Sequence, residues 1–285
     1  MRKINFSKMV ASGNDFIVID NRRHAVKKNL SKLAKQLCLP KFSVGADGLM
    51  VIERSKKADF KMRIFNADGS EAQMCGNGAR CISLYAYKNK IAGKKMRFET
   101  IAGIIGGEIR NSSVKVGLSK PKGTKLDLVI RTAKDEPRPS LQGHQCQQGR
   151  GEYFIHYVNT GVPHVVMFVD ELEKINVKEV GKLIRFHRVF SPAGTNVNFV
   201  KVGEGNKIKI RTYERGVEGE TFACGTGSVA SAIISAKIKH LKPPVDVLTK
   251  SGEVLKVYFD LNDKEVENVY LEGKAREVFT GIMEI

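Results

Sequence analysis

Short apolar runs, each entered through a glycine-containing turn, alternate along the chain with charged stretches: FIVID follows SGND at Ser12 to Asp20, LMVI follows VGADG, HVVMFVD follows TGVP, and NVNFVK follows AGT. Runs of this length bounded by turn residues predict buried strands. Two further segments, ARCISLYAY and SVASAIISAKI, are longer, poor in charge and apolar on more than one helical face. That pattern predicts helices enclosed by strands, not helices lying on a surface.

These elements recur in one register. EAQMCGNGA (Glu71 to Ala79) and ETFACGTGS (Glu220 to Ser228) share the pattern ExxxCGxG. The spacing that carries Cys75 onto Cys224 also carries Gly45 onto Gly194, Thr100 onto Thr249 and Gly103 onto Gly252, without a gap. SGNDFIVID and TGVPHVVMFVD match in the same way with a slip of one residue. A single shared glycine is noise, but a register of this kind predicts an internal duplication. The fold class expected is therefore mixed α/β (α+β), with two pseudo-symmetric lobes, each reading strand, turn, helix, strand. The polar stretch after Leu118, with SKPKGTK and later DEPRPSLQGHQCQQGRG, suits a crossover or exposed loop between them. The expected lobes are 1–119, carrying Cys75, and 120–274, carrying Cys224. The tail from Lys274 has no pattern of its own, and 275–285 is a candidate completion of the first lobe.

Composition narrows the class. A chain of 285 residues with 42% hydrophobic and 27% charged positions can bury a full core. No apolar run approaches the roughly 18 residues of a membrane helix, and no apolar segment follows the basic start, so the expectation is a cytoplasmic protein without a cleaved signal or membrane partner. Net charge is +18, which favours nonspecific attraction to nucleic acid. The lysines are spread along the whole chain, however, with no Trp and no block of five basic residues, so a solvated surface explains the charge better than a nucleic-acid site. Cys38, Cys75, Cys81, Cys146 and Cys224 form an odd, scattered set without a CxxC pair, against both a disulfide framework and a structural zinc site.

The two CGxG turns fall at the predicted helix starts. Unpaired N–H groups there favour a bound carboxylate, glycine lets its oxygens approach the backbone, and the same field favours a thiolate over a thiol. Cys81 lies about 240° around the helix from Cys75 and points elsewhere. Taken singly, each cysteine reads as a buried inert thiol. Neither turn continues into the GK[ST] of a phosphate loop, and only His164 is a candidate partner for a Cys75–Cys224 metal site, without ligand spacing. The repetition shifts the balance: two thiols on opposite faces of one carbon suit inversion of a stereocentre by proton transfer, with no cofactor and no metal. A redox disulfide and a single nucleophile with a spectator thiol stay open on the residues alone.

The strings SGNDFIVID, GADGL, RIFNADGSEAQMCGNGARC, TNVNFV and YERGVEGETFACGTG resemble the diaminopimelate epimerase family, in its order, from residue 7 to about 230. The resemblance implies two lobes, each a sheet wrapped around a central helix, and cofactor-independent two-base epimerisation of LL- to meso-diaminopimelate in lysine and peptidoglycan precursor synthesis. It implies Cys224 and Cys75 as the acid/base pair, His164 and Glu214 as groups that tune them from the flanks of the cleft, and the amides of Gly76, Asn77, Gly225 and Thr226 as the α-carboxylate site. Asn14, Asn66, Asn196 and Arg215 fall on substrate-binding positions, with Glu214, and a homodimer is implied. The bland readings beside these are turn residues for Asn14, Asn66 and Arg215, a structural histidine for His164 and a solvated charge for Glu214. Two positions depart from the family pattern: Val162 stands where many members have Asn, and Gly48 where some have Gln. The rivals are a racemase of another amino acid in the same superfamily and a basic nucleic-acid-binding protein.

Overall fold

A computed structural model describes residues 3–26, 29–131, 152–262 and 265–284. The chain divides into two compact units, Met1–Gly117 with Glu272–Ile285, and Leu118–Leu271.

In the first unit β1 (Lys3–Ala11) pairs antiparallel with β2 (Asn14–Asp20), and β2 pairs parallel with β3 (Gly48–Glu53). β3 pairs antiparallel with β4 (Phe60–Asn66). The far edge of β4 holds both the short β5 (Glu71–Ala72), antiparallel, and β6 (Lys95–Thr100), parallel. Antiparallel β7 (Gly103–Arg110) and β8 (Ser113–Gly117) follow. Parallel neighbours need a crossover. Helix α1 (Leu30–Leu37) lies between β2 and β3, and α2 (Gly76–Lys88) between β5 and β6.

The second unit repeats this plan strand for strand. β10 (Glu152–Asn159), β11 (Pro163–Phe168), β12 (Asn196–Val202) and β13 (Lys207–Glu214) pair antiparallel, parallel, antiparallel. β13 then carries β14 (Gly219–Thr221), antiparallel, and β15 (Val245–Leu248), parallel, and β15 pairs antiparallel with β16 (Val254–Leu261). Helix α3 (Val177–Arg185) takes the place of α1, and α4 (Gly225–Lys239) that of α2. The duplication expected from the glycine register is thus present in the connectivity of the strands.

Each sheet has a helix on both faces, which is why its middle strands are apolar without alternation. Ile17, Ile19, Leu49 and Val51 join Leu33, Ala34 and Leu37 of α1 in one core; the alternate residues Phe16, Val18, Met50 and Ile52 are buried on the other face. In the second unit Val165, Met167, Val197 and Phe199 pack with Val177, Val180 and Ile184 of α3. The alternate positions, His164, Val166, Asn196 and Asn198, therefore take the face toward α4, which packs on β11 and β12. Every residue of α4 from Gly227 to Ala236 is buried, as an enclosed helix requires.

One segment differs from its reading in the sequence. Lys122–Arg131, within the stretch read as crossover or loop, is a strand, β9, paired with β10. It is mostly exposed, so it has no apolar alternation to announce it, and left-handed Gly123 and Asp127 interrupt its regularity. The tail Arg276–Glu284 is β18, paired with β1 along nearly its whole length. DEPRPSLQGHQCQQGRG, with Cys146, lies outside the described residues except at its margins.

Candidate active site

Cys75 and Cys224 are the N-cap residues of α2 and α4, both extended, with φ −140° and ψ 123° for the first and φ −122° and ψ 113° for the second. Their carbonyls accept the first helical bonds, from Ala79 N–H at 2.7 Å and Ser228 N–H at 2.9 Å. The N–H groups before these have no place in the helical ladder. One of them, Gly78 N–H, donates to Cys75 Sγ at 3.4 Å. Gly76 and Asn77, and Gly225 and Thr226, sit at the positive ends of two helix dipoles, where an anion is favoured. Cys75 is half-buried and Cys224 buried, and Cys81 is fully buried in the body of α2.

The third helical position is glycine in both copies because each helix start presses on its sheet. A Cβ on Gly227 would lie 2.4 Å from Asn198 Oδ1; on Gly78 it would meet Ile64 Cδ1 and Met50 Sδ at 3.1 Å. The glycine at Gly227 makes room for a chain of hydrogen bonds leading to Cys224. Asn198 Nδ2 donates to Val165 O at 2.8 Å, which fixes the amide because a carbonyl only accepts. Its Oδ1 accepts from Thr212 Oγ1, and Nδ2 also donates to His164 Nδ1 at 3.1 Å. The proton of His164 therefore sits on Nε2, which donates to Thr226 Oγ1 at 2.9 Å. The Thr226 hydroxyl is 3.5 Å from Cys224 Sγ and can donate to a thiolate or accept from a thiol. Thr160 Oγ1 holds the same residue by its backbone oxygen.

His164 is fully buried, and burial first, then the Arg215 guanidinium, push its pKa down to about 3. At neutral pH it carries no charge, so its link to Cys224 is the polarity of a hydrogen bond passed through Thr226. Because the imidazole ordinarily titrates near 6.5, the unfolded chain takes up a proton between about 6.5 and 3 that the folded chain refuses. The folded state is thus fully stabilised in this respect above 6.5 and loses stability as pH falls toward 3. Urea unfolding between pH 7 and 5 should show wild type losing stability faster than His164→Gln, by up to about 1.4 kcal/mol per pH unit. Parallel slopes would show that His164 is protonated in the fold.

The remaining expected residues fall into two groups by unit. Asn14, half-buried at the start of β2, accepts from Asn77 Nδ2 at 2.5 Å and donates to Asp47 Oδ2 at 3.1 Å. Asn66 is exposed and bonded within its own turn, to Ser70. In the second unit Asn196 donates to Pro163 O and accepts from Arg215 N–H, both at 2.9 Å, tying the loop after Glu214 to the strand of His164. Glu214 is half-buried at the end of β13 and pairs with Gly219. Gly48 is buried, and a Cβ there would lie 2.7 Å from Phe65 O. Two residues near the helix starts escaped the sequence reading. Asn198 had a signal, a second polar residue two positions after Asn196 in an apolar strand. Arg80 had another, a single charge inside an enclosed helix. Among the described residues no group of three His, Cys, Asp or Glu side chains is placed to hold a metal, and no helix is long and apolar enough to cross a membrane.

Two repeats, each a sheet enclosing a helix, define a fold class seen in solved structures. A phenazine biosynthesis protein of the PhzF family from Bacillus anthracis matches all of both chains with a TM-score of 0.72 at 16% identity. A hydroxyproline epimerase from Agrobacterium vitis, with bound trans-4-hydroxy-L-proline, matches 99% of this chain and 92% of its own with a TM-score of 0.70 at 14% identity. At the level of sequence, residues 6–122 and 156–278 match the diaminopimelate epimerase family, and the diaminopimelate epimerase of Hydrogenobaculum sp. is 45% identical over 97% of each chain. The chain belongs to the diaminopimelate epimerase family.

Proposed function

We infer that this protein interconverts LL- and meso-2,6-diaminopimelate by proton transfer at one α-carbon, in the supply of lysine and peptidoglycan precursors. The observation that carries the reading, with family membership, is the cysteine at the N-cap of the enclosed helix in each of two equivalent units. In the LL direction Cys224 takes the α-proton as a thiolate and Cys75 delivers its S–H proton to the opposite face; the reverse reaction exchanges the roles. Substrate and product differ only in configuration at that carbon, so the two proton transfers balance with no oxidant or reductant. The amides of Gly76, Asn77, Gly225 and Thr226 hold the α-carboxylate and offset charge as it builds on the α-carbon. Thr226 with His164, and Glu214, adjust the proton affinity of the thiols, while Asn14, Asn66, Asn196 and Arg215 bind the rest of the substrate. Val162 brings an apolar side chain to that distal part, where many family members have an amide. The family resemblance extends the reading to a homodimer in the cytoplasm.

The test is α-proton exchange in D2O with LL-diaminopimelate, beside proline, hydroxyproline and histidine. Exchange of diaminopimelate with solvent deuterium entering the inverted product is expected. Fast exchange of another amino acid and none of diaminopimelate would reassign the substrate to the fold's other racemases.

A further inference from the structure

Arg80 stands in the first turns of α2 and is fully buried, at 0% exposure. Its Nη2 donates to Asn77 Oδ1 at 2.6 Å and to Ser12 Oγ at 2.7 Å, and its Nη1 donates to Lys274 O at 2.9 Å, between β17 (Val266–Gly273) and β18. A guanidinium has donors only, so the atom of Asn77 facing it is the amide oxygen. Asn77 Nδ2 is then left to donate to Asn14 Oδ1, and Asn14 Nδ2 donates to Asp47 Oδ2, which also accepts Asp15 N–H at 3.1 Å. The direction of every bond is set from the two ends, a donor-only guanidinium and an acceptor-only carboxylate.

We propose that Arg80 is a positioning residue of the site: through Asn77 it fixes which face of the Asn14 amide is offered to the substrate. The inference rests on the assignment of Asn14 and Asn77 as substrate contacts. Ser12 and Lys274 O hold the guanidinium itself, so that the orientation of two asparagines is referred to the β1–β2 turn and to the strand that closes the sheet. Lysine at this position keeps the charge and loses the planar fork that reaches these partners together.

Arg80→Lys is expected to raise KM about tenfold with kcat changed less than about threefold, because the interaction lost is one of substrate orientation common to ground and transition states. In an Asn14→Ala background the same substitution should cost no more than about twofold, since the amide it orients is gone. Equal effects of Arg80→Lys in both backgrounds, or a lower Tm with KM unchanged, would overturn the proposal, because a structural arginine would behave in that way. Should Arg80→Lys not fold, Asn77→Ala cuts the same path while keeping the Ser12 and Lys274 contacts, and an unchanged KM there is equally fatal. Each variant is assayed with whichever amino acid the wild type inverts, so an error in substrate shows in the wild type alone and an error about Arg80 shows only in the variants.

Discussion

Cys75→Ser and Cys224→Ser should each lower epimerisation by about a thousandfold, within the range of a lost general acid or base. A hydroxyl at the same place is a far weaker acid than a thiol and does not supply the anion that must remove the α-proton. The fold should survive both changes. The two residues are N-caps, a position at which serine is among the preferred residues, so thermal unfolding should not fall. Deuterium exchange gives the measurement, with kcat for inversion beside it and circular dichroism as the control for folding. Turnover within tenfold of wild type by either variant would remove the two-base scheme, and loss of activity accompanied by loss of fold would point to a structural thiol.

Gly227→Ala should destabilise the protein by about 1–2 kcal/mol and lower kcat by at least about tenfold. Helix propensity alone predicts the opposite, since alanine exceeds glycine in a helix interior by about 1 kcal/mol. The added methyl, however, falls 2.4 Å from Asn198 Oδ1. Asn198 is held by Thr212, Val165 and His164, so it cannot yield without turning His164 away from Thr226. Gly78→Ala is the comparison: its neighbours at 3.1 Å are the ends of the Ile64 and Met50 side chains, which need give only a few tenths of an ångström, and its cost should be smaller. Urea unfolding and kcat of the two variants decide the matter, and a stabilised, fully active Gly227→Ala would refute the close contact.

The contrast between these glycines shows how much of the site could be read before the fold was known. Both third-position glycines were visible as CGxG, and both helices as charge-poor segments, because turn chemistry and helical burial leave local marks in composition. The contact that makes Gly227 indispensable joins α4 to β12, and it depends on Asn198, which the sequence offers only as another polar residue in a strand. His164 is a sharper case. After Pro163 it reads by itself as a structural histidine, and only the family resemblance makes it a group that tunes the thiols; in the fold it packs against α4 and burial holds it neutral. Arg80 lies two residues after the first CGxG turn, yet its partners Ser12 and Lys274 are far from it in sequence. β9 and β18 were illegible for a related reason: an exposed or edge strand is defined by the strand it pairs with, β10 or β1, more than by its own alternation.

By itself, then, the sequence determined the repeat, the enclosed helices and the place of a cysteine at the start of each, since each depends on residues close along the chain or on their recurrence. The tertiary structure alone decided which strands complete each sheet, that His164 reaches Cys224 through Thr226 in a neutral form, and that Arg80 orients Asn77 and Asn14. Hydrogen-bond direction and desolvation depend on which groups meet in space, and those groups come from segments that the chain itself keeps far apart.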